Sequence, residues 1–277
     1  MMTTSNITVS PLTPAIGAEI GNVDLGQVTE QEIADIRAAL LKYKVVFFRE
    51  QALSQAQHIS LARWFGELEI HPATPRSQSN PEVLHIAHGP ESKGQENFWH
   101  SDVTWREKPS LGSILKAVEV PAVGGDTLFA NMVLAYELLP ENMKEAITGR
   151  VAVHDIARVF AQRLNKSAEE LRERYPPVEH PIVRTHPETG ESVLYVNTAF
   201  TSHIKGMDRD ESSKLLRTLY LTAANPEIQC RFRWKEGSLA FWDNRASQHF
   251  ASSDYFPQVR KMERVTIAGD RPFWRSP

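Results

Sequence analysis

The run Phe98-Trp99-His100-Ser101-Asp102-Val103-Thr104-Trp105 limits how this chain can fold. Its aromatic and β-branched residues predict a strand. Residues two apart on a strand share a face, so the His100 imidazole and the Asp102 carboxylate can converge on one point. One nitrogen and one hard oxygen ligand make two-thirds of a facial metal triad. A second His must come from elsewhere, and the fold must carry it to this strand. The triplet by itself is weak, because most His-x-Asp pairs are surface polar residues.

Ten histidines compete for that place. His58 lies in a predicted helix among Gln and Ser and reads as solvated. His85, His88, His180 and His186 fall in loops or at strand ends with no acidic neighbour at ligand spacing, and His186, before Pro187 and Glu188, reads as part of a turn. His154 makes another short pair with Asp155, but adjacent strand residues face opposite sides and cannot easily share one ion.

The remaining sequence is that of an ordinary globular chain. It has 277 residues, a size at which a barrel or sandwich core commonly stays one domain, and a single domain over 1–277 is expected. Hydrophobic residues make up 41% and charged residues 23%. The formal net charge of -3 is spread over interleaved signs, which points to neither a nucleic acid nor an anionic membrane as partner. Cys230 is the sole cysteine, so no intrachain disulfide can form and a cytoplasmic location is expected. No activating neighbour marks it as a nucleophile, and it reads as a small buried apolar residue. Met1 to Pro14 is polar, without the basic and apolar regions of a secretory signal. No apolar run approaches the ~18 residues of a membrane-spanning helix.

Short strands dominate the reading along the chain. Thr29 with Glu32, and Ser54 with Gln57, are capping-box patterns that open two early helices around a strand at Val45 to Arg49. Their placement suggests packing on the outside of a sheet. Residues 68–97 form a loop-rich segment with Pro72, Pro75, Pro81 and Pro90, interrupted by Val83 to Ala87. Strands follow at Ser113 to Val118 and Gly125 to Ala130, then a helix over Tyr136 to Thr148. The insertion 151–180, with a helix at Ser167 to Arg174, is placed over the mouth of the core. Later strands fall at Ile182 to Thr185, Ser192 to Asn197, Gln229 to Trp234, Leu239 to Asp243 and Glu263 to Ala268, with a helix capped by Asp208 and Glu211. The expected class is α+β with a mainly β core, a double-sheet jelly roll with flanking helices and a lid insertion. Periodicity alone does not separate it from another α+β arrangement.

A C-terminal stretch, Ala240-Phe241-Trp242-Asp243-Asn244-Arg245-Ala246-Ser247-Gln248-His249, followed by Arg260 and Arg264, changes the weight of the His-x-Asp triplet. Together with Gly17-Ala18-Glu19-Ile20, Val45-Val46-Phe47-Phe48-Arg49, Gly124-Gly125-Asp126-Thr127-Leu128, Pro181-Ile182-Val183-Arg184-Thr185-His186-Pro187 and Ile267-Ala268-Gly269-Asp270, it resembles the taurine dioxygenase family of iron(II)- and 2-oxoglutarate-dependent oxygenases. That family includes aryloxyalkanoate dioxygenases and alkylsulfatases. The resemblance spans nearly the whole chain.

The resemblance implies a double-stranded β-helix with the metal at one open end. It implies His100, Asp102 and His249 as iron(II) ligands, with 2-oxoglutarate and O2 as co-substrates. Arg260, eleven residues after His249, matches the clamp for the far carboxylate of 2-oxoglutarate, which a planar guanidinium grips better than an ammonium. Thr127 matches the hydroxyl that assists it, and Leu115 belongs to the same subsite. Arg264 with His71 would hold the anionic group of a small substrate, near Val103 and between the pocket walls Phe160 and Phe200. Trp242 would lie near the metal. Two residues, Thr74 and Glu96, depart from the Tyr and Asn that read the amine in taurine-specific members. The implied activity is hydroxylation of taurine or a related alkanesulfonate, releasing sulfite and an aldehyde. An alkyl sulfate, an aryloxyalkanoate or an amino-acid-derived metabolite is the alternative, and a non-catalytic metal-binding jelly-roll module is the non-enzyme one. A homo-oligomer, dimer or tetramer, is also implied.

Overall fold

The computed structural model describes residues 6–71, 74 and 78–275. Met1 to Ser5 of the polar N-terminus, and Pro72 and Pro75 of the first loop, lie outside the described residues. Strands β1 (Thr8–Pro11) and β2 (Ala18–Gly21) pair antiparallel. Helix α1 (Glu30–Tyr43) starts with the expected capping box, in which Thr29 and Glu32 bond each other's backbone N–H. After β3 (Val45–Phe48), helix α2 (Gln55–Arg63) starts with the Ser54–Gln57 box. Then come β4 (Leu68–Glu69), β5 (Val83–His88), β6 (Gly112–Glu119), β7 (Thr127–Asn131), α3 (Met132–Glu137), α4 (Glu141–Ile147) and β8 (Val151–His154). The insertion holds α5 (Ala157–Arg163) and α6 (Ala168–Arg174), and leads into β9 (Val178–Pro181), β10 (Val183–Thr185), β11 (Ser192–Leu194), β12 (Thr201–Ile204) and α7 (Arg209–Thr222). The chain closes with β13 (Gln229–Phe232), β14 (Leu239–Asp243), β15 (Ser247–Ala251) and β16 (Arg260–Ile267).

The fold is mixed α+β and mainly sheet, with seven α-helices among the described residues. An eight-stranded sheet runs in the order β1-β2-β3-β14-β6-β16-β4, with β5 also on β16; a three-stranded sheet runs β13-β7-β15. The alternation of side chains on β3 decides what packs where. Val46 and Phe48 face outward, where Ile36 and Leu40 of α1 and Ile59 and Ala62 of α2 cover them. Val45 and Phe47 face inward, against Phe129, Cys230 and Phe232 of the smaller sheet. Phe47 stacks on Phe232 with ring centroids 4.0 Å apart. Burying each such ring contributes about 1.5–3 kcal/mol. The helices thus lie outside the large sheet, as their early placement in the sequence suggests.

Several local expectations are corrected. Trp99 to Trp105 is not a strand. Only His100 bridges to a strand residue, His249, and the backbone then turns away with Val103 at a φ of 48°. The expected helix over Tyr136 to Thr148 is two helices, because Pro140 has no N–H to donate and its ring excludes a helical turn before it. Val83 to Ala87, read as an interruption in a loop, belongs to a full strand, Val83–His88, paired with β16. His58 is not solvated: it is fully buried, bonds the Ile114 carbonyl at 3.1 Å, and burial lowers its pKa to about 4. His186 sits in a turn, as expected, but also donates to the buried Asp243 carboxylate at 3.0 Å. Cys230 is buried, and burial pushes its thiol up to about 12.

Asp243 is the hub of the tight connection between β14 and β15. Its carboxylate accepts the Arg245 backbone N–H at 2.9 Å, Nε at 2.9 Å and Nη2 at 2.7 Å. Burial opposes ionisation, but Arg245 and His186 outweigh it and hold the carboxyl well below the usual range. A depressed folded-state pKa contributes stability above the unfolded value of about 4, and that contribution is lost as pH falls below it. Asp243→Ala leaves Arg245 buried with Glu188 as its remaining anion at 2.7 Å. It should cost about 3–5 kcal/mol at pH 7 in denaturant titrations, with the gap to the parent narrowing under acid.

Candidate active site

The two histidines meet because β15 and the 98–105 segment exchange backbone hydrogen bonds. His100 N–H donates to the His249 carbonyl at 3.1 Å, and His249 N–H to the His100 carbonyl at 2.8 Å. Their rings lie 4.2 Å apart. Asp102 joins them from a turn rather than a strand face, and one ligand atom from each of the three lies within 4.8 Å of the others. All three residues are buried.

The electrostatics suit a dication. His100 Nδ1 donates to the Phe98 carbonyl at 2.9 Å, which leaves the Nε2 lone pair on the side of Asp102, 3.8 Å from Oδ1. Burial lowers the pKa of both imidazoles, that of His249 to about 3. Burial also opposes charge on Asp102, but Arg264, His249 and His100 hold its carboxyl down at about 2. At neutral pH the cluster therefore presents two neutral imidazoles and one carboxylate, a donor set that fits a metal such as iron.

The cluster opens on a cavity of about 210 Å³. Leu115, Thr127 and Arg260 are among the residues that line it. Arg260 is buried, bonds only the Gly125 carbonyl (3.2 Å) through Nε, and makes no ion pair among the described residues. Its Nη2 has no partner among the described residues, and burial lowers the guanidinium pKa. Gly125, at a φ of 72°, lets that carbonyl approach; a Cβ there would stand 3.2 Å from Arg260 Cδ. The Trp234 indole donates to Thr127 Oγ1 at 2.9 Å, which frees the hydroxyl proton for another acceptor.

Arg264 also lines the cavity and reaches Asp102 at 3.2 Å, while its buried Nε has no hydrogen-bond partner among the described residues. Arg260 and Arg264, four apart on β16, do share one cavity. His71 lines it as well, with its pKa lowered to about 4 by burial and then by Arg264. Val103, Phe160 and Phe200 line the apolar remainder, and the two phenyl rings stack at 6.4 Å. Trp242 lies against His249, 4.9 Å between rings, and is also packed in the core.

Two of the sequence-derived positions differ from the rest. Thr74 does not line the cavity; it is buried beside His71, whose carbonyl accepts its N–H at 2.9 Å. Glu96 lines the cavity but is engaged by Arg163 at 3.2 Å and lies 3.4 Å from His88. Those two partners outweigh burial and hold its carboxyl at about 2. Arg163, Leu84, Ile86, Phe98, Trp105 and Val159 also line the cavity and went unread in the sequence, where nothing distinguishes them from core or surface residues. Asn244 bonds Asp102 through both its amide atoms; its place in Trp242-Asp243-Asn244-Arg245 was the available signal.

A mainly-sheet α+β fold with two imidazoles, a carboxylate and an unpaired buried guanidinium around one cavity defines a candidate metal-dependent enzyme for small anions. Residues 8–266 match the family described as "Taurine catabolism dioxygenase TauD, TfdA family". The chain belongs to this family and is a 2-oxoglutarate-dependent dioxygenase, a class that uses iron and O2. It is 36% identical over 275 residues to an alpha-ketoglutarate-dependent sulfate ester dioxygenase of Pseudomonas putida, covering 95% of this chain and 90% of the relative. The crystal structure of a taurine dioxygenase from Burkholderia xenovorans superposes with a TM-score of 0.84 at 40% identity, over 97% of this chain and 93% of that one. The structure of AAD-2 in complex with Mn(II) and N-oxalylglycine also gives 0.84, at 28% identity, over 97% and 99% of the two chains.

The unpaired guanidinium has a consequence for stability. Arg260→Met fills the site with an apolar chain and removes an unsatisfied donor, so the ligand-free protein should gain about 1–3 kcal/mol in urea titration. A loss of stability of that size would mean that Arg260 is held by groups other than its Gly125 contact.

Proposed function

We propose that this protein is an iron(II)-dependent dioxygenase that oxidises the carbon next to the head group of a small sulfate ester or alkanesulfonate with an apolar tail. His100, Asp102 and His249 would hold the iron. The carrying observation is that two arginines line one cavity with that triad, each with a buried nitrogen that finds no partner among the described residues. Arg260, with Thr127, would grip the far carboxylate of 2-oxoglutarate over Leu115. Arg264 and the neutral His71 would grip the substrate's anion.

Iron with 2-oxoglutarate and O2 supplies the oxidation: one oxygen atom enters the substrate C–H bond, and the other enters succinate as CO2 leaves. The chain's own residues supply position. Val103, Phe160 and Phe200 hold the tail so that the carbon beside the head group faces the triad, which is catalysis by orientation. The hydroxylated carbon then expels its neighbour, so a sulfate ester gives an aldehyde and sulfate, and a sulfonate gives an aldehyde and sulfite.

The tail is read as apolar because Glu96, the one carboxylate beyond Asp102 in the cavity lining, is already engaged by Arg163 and His88. An ammonium would have to compete with both. This favours an amine-free substrate over taurine. The relative from Pseudomonas putida, named for sulfate esters, supports the same class.

The sheets around this site read as a single-domain jelly roll, with residues 68–97 and 151–180 as covers over its open end. Both segments contribute lining residues, among them His71 and Glu96 from the first and Phe160 and Arg163 from the second. No helix among the described residues is long and apolar enough to cross a membrane. With the lone buried Cys230, that supports a cytoplasmic location.

Succinate release tests the reading. Hexyl sulfate or 1-butanesulfonate should stimulate it roughly tenfold more than taurine; equal or greater stimulation by taurine, or by an aryloxyacetate alone, would sink the substrate class. His100→Ala, Asp102→Ala and His249→Ala should each abolish turnover, and iron-dependent activity surviving in all three would refute the metal assignment. Arg260→Met should raise the KM for 2-oxoglutarate roughly 100-fold or more, through two lost charge-assisted hydrogen bonds.

A further inference from the structure

Val103, which follows the Asp102 carboxylate, has a φ of 48°. A β-branched residue there is a true outlier, because its Cβ crowds the neighbouring carbonyl. Such strain persists only where the surroundings over-determine it.

The restraints lie on both sides of Val103. Before it, Asn244 Oδ1 accepts the Asp102 N–H at 2.6 Å, and Asn244 Nδ2 donates to the Asp102 carbonyl at 3.0 Å. After it, Thr104 is fully buried. Asn197 Nδ2 donates to Thr104 Oγ1 at 3.0 Å, and His154 Nδ1 lies 3.0 Å from the same oxygen. His180 Nε2 donates to the Thr104 carbonyl at 2.9 Å and reaches that of Arg106 at 3.0 Å. The turn closes where Arg106 N–H meets the Val103 carbonyl at 2.9 Å.

His154 and His180 belong to β8 and β9, a sheet separate from the strands that carry His249 and the arginines. Neither they nor Asn197 line the cavity, whereas Val103 does, beside Asp102. Two buried histidines that sequence spacing excludes as ligands are therefore spent on one peptide segment next to the carboxylate.

We infer that His154, His180 and Asn197, acting through Thr104 and opposed by Asn244, form a positioning device. It holds Val103 in a left-handed turn that aims the Asp102 carboxylate at His100 and His249, and the valine side chain at the substrate. The inference rests on the ligand role proposed for Asp102. Released, Val103 would return to the extended or right-handed region, and the rotating peptide would carry both groups away from the cavity.

The test uses metal-free melting and Co(II) titration followed by visible absorption. Val103→Gly accepts a positive φ without strain, so it should melt no lower than the parent although it loses an isopropyl group. Its ratio of succinate to oxidised substrate should rise roughly threefold, since the substrate loses a wall. His180→Leu should weaken Co(II) binding about tenfold, and His180→Gln, whose amide can still donate, should restore most of it. In the Val103→Gly background, His180→Leu should lower the melting temperature about twice as much as in the parent, where relaxation of the strained turn recovers part of the loss.

Equal losses in the two backgrounds would overturn the device, as would unchanged Co(II) affinity in His180→Leu. Should His180→Leu fail to fold, Asn197→Ala with and without Val103→Gly gives the same comparison. A parent protein that binds no Co(II) would overturn the ligand role of Asp102, whereas the melting comparison, made without metal, reads the strain by itself.

Discussion

The reciprocal backbone hydrogen bonds between His100 and His249 hold the site together. They join a segment that is otherwise a turn to the edge of β15, and so put two imidazoles side by side. β15 is itself fixed by its pairing with β7, where His249 stands opposite Phe129. Phe129 belongs to the layer between the facing sheets, with Phe47 and Phe232. Core packing therefore sets where one imidazole stands, and the bridge passes that position to the other.

Buried charge is handled in two opposite ways around this frame. Asp243 is saturated by Arg245 and His186, and the connection from β14 to β15 is rigid as a result. Arg260, by contrast, lines the cavity with a buried nitrogen unpartnered among the described residues, and Arg264, although paired with Asp102, keeps another. A satisfied ion pair stabilises a turn, whereas an unsatisfied cation in a dry wall is a standing attraction for an anion.

Much of this was readable from the chain, and the misses share a cause. The capping boxes at Thr29 and Ser54 are local chemistry, complete within four residues, and both form. Arg260 and Arg264 reach one cavity because strand alternation is also local. The strand expected at Trp99 to Trp105 failed because its residues have β propensity, while Asn244 and Thr104 tie the backbone into a turn from distant parts of the chain. His58 was misjudged, and the Asp243 partner of His186 went unread, for the same reason: Ile114 and Asp243 are remote in sequence.

The sequence by itself determined the class of chemistry through ordered motifs that together resemble the taurine dioxygenase family, whereas the His-x-Asp triplet alone is weak. It also determined most of the helices and strands, which follow from caps and alternation. Only the tertiary structure decided that Glu96 is already paired with Arg163, that Arg260 has no counter-ion among the described residues, and that Val103 is strained. Each of those depends on which remote group lies within a few ångströms, a distance that no spacing along the chain encodes.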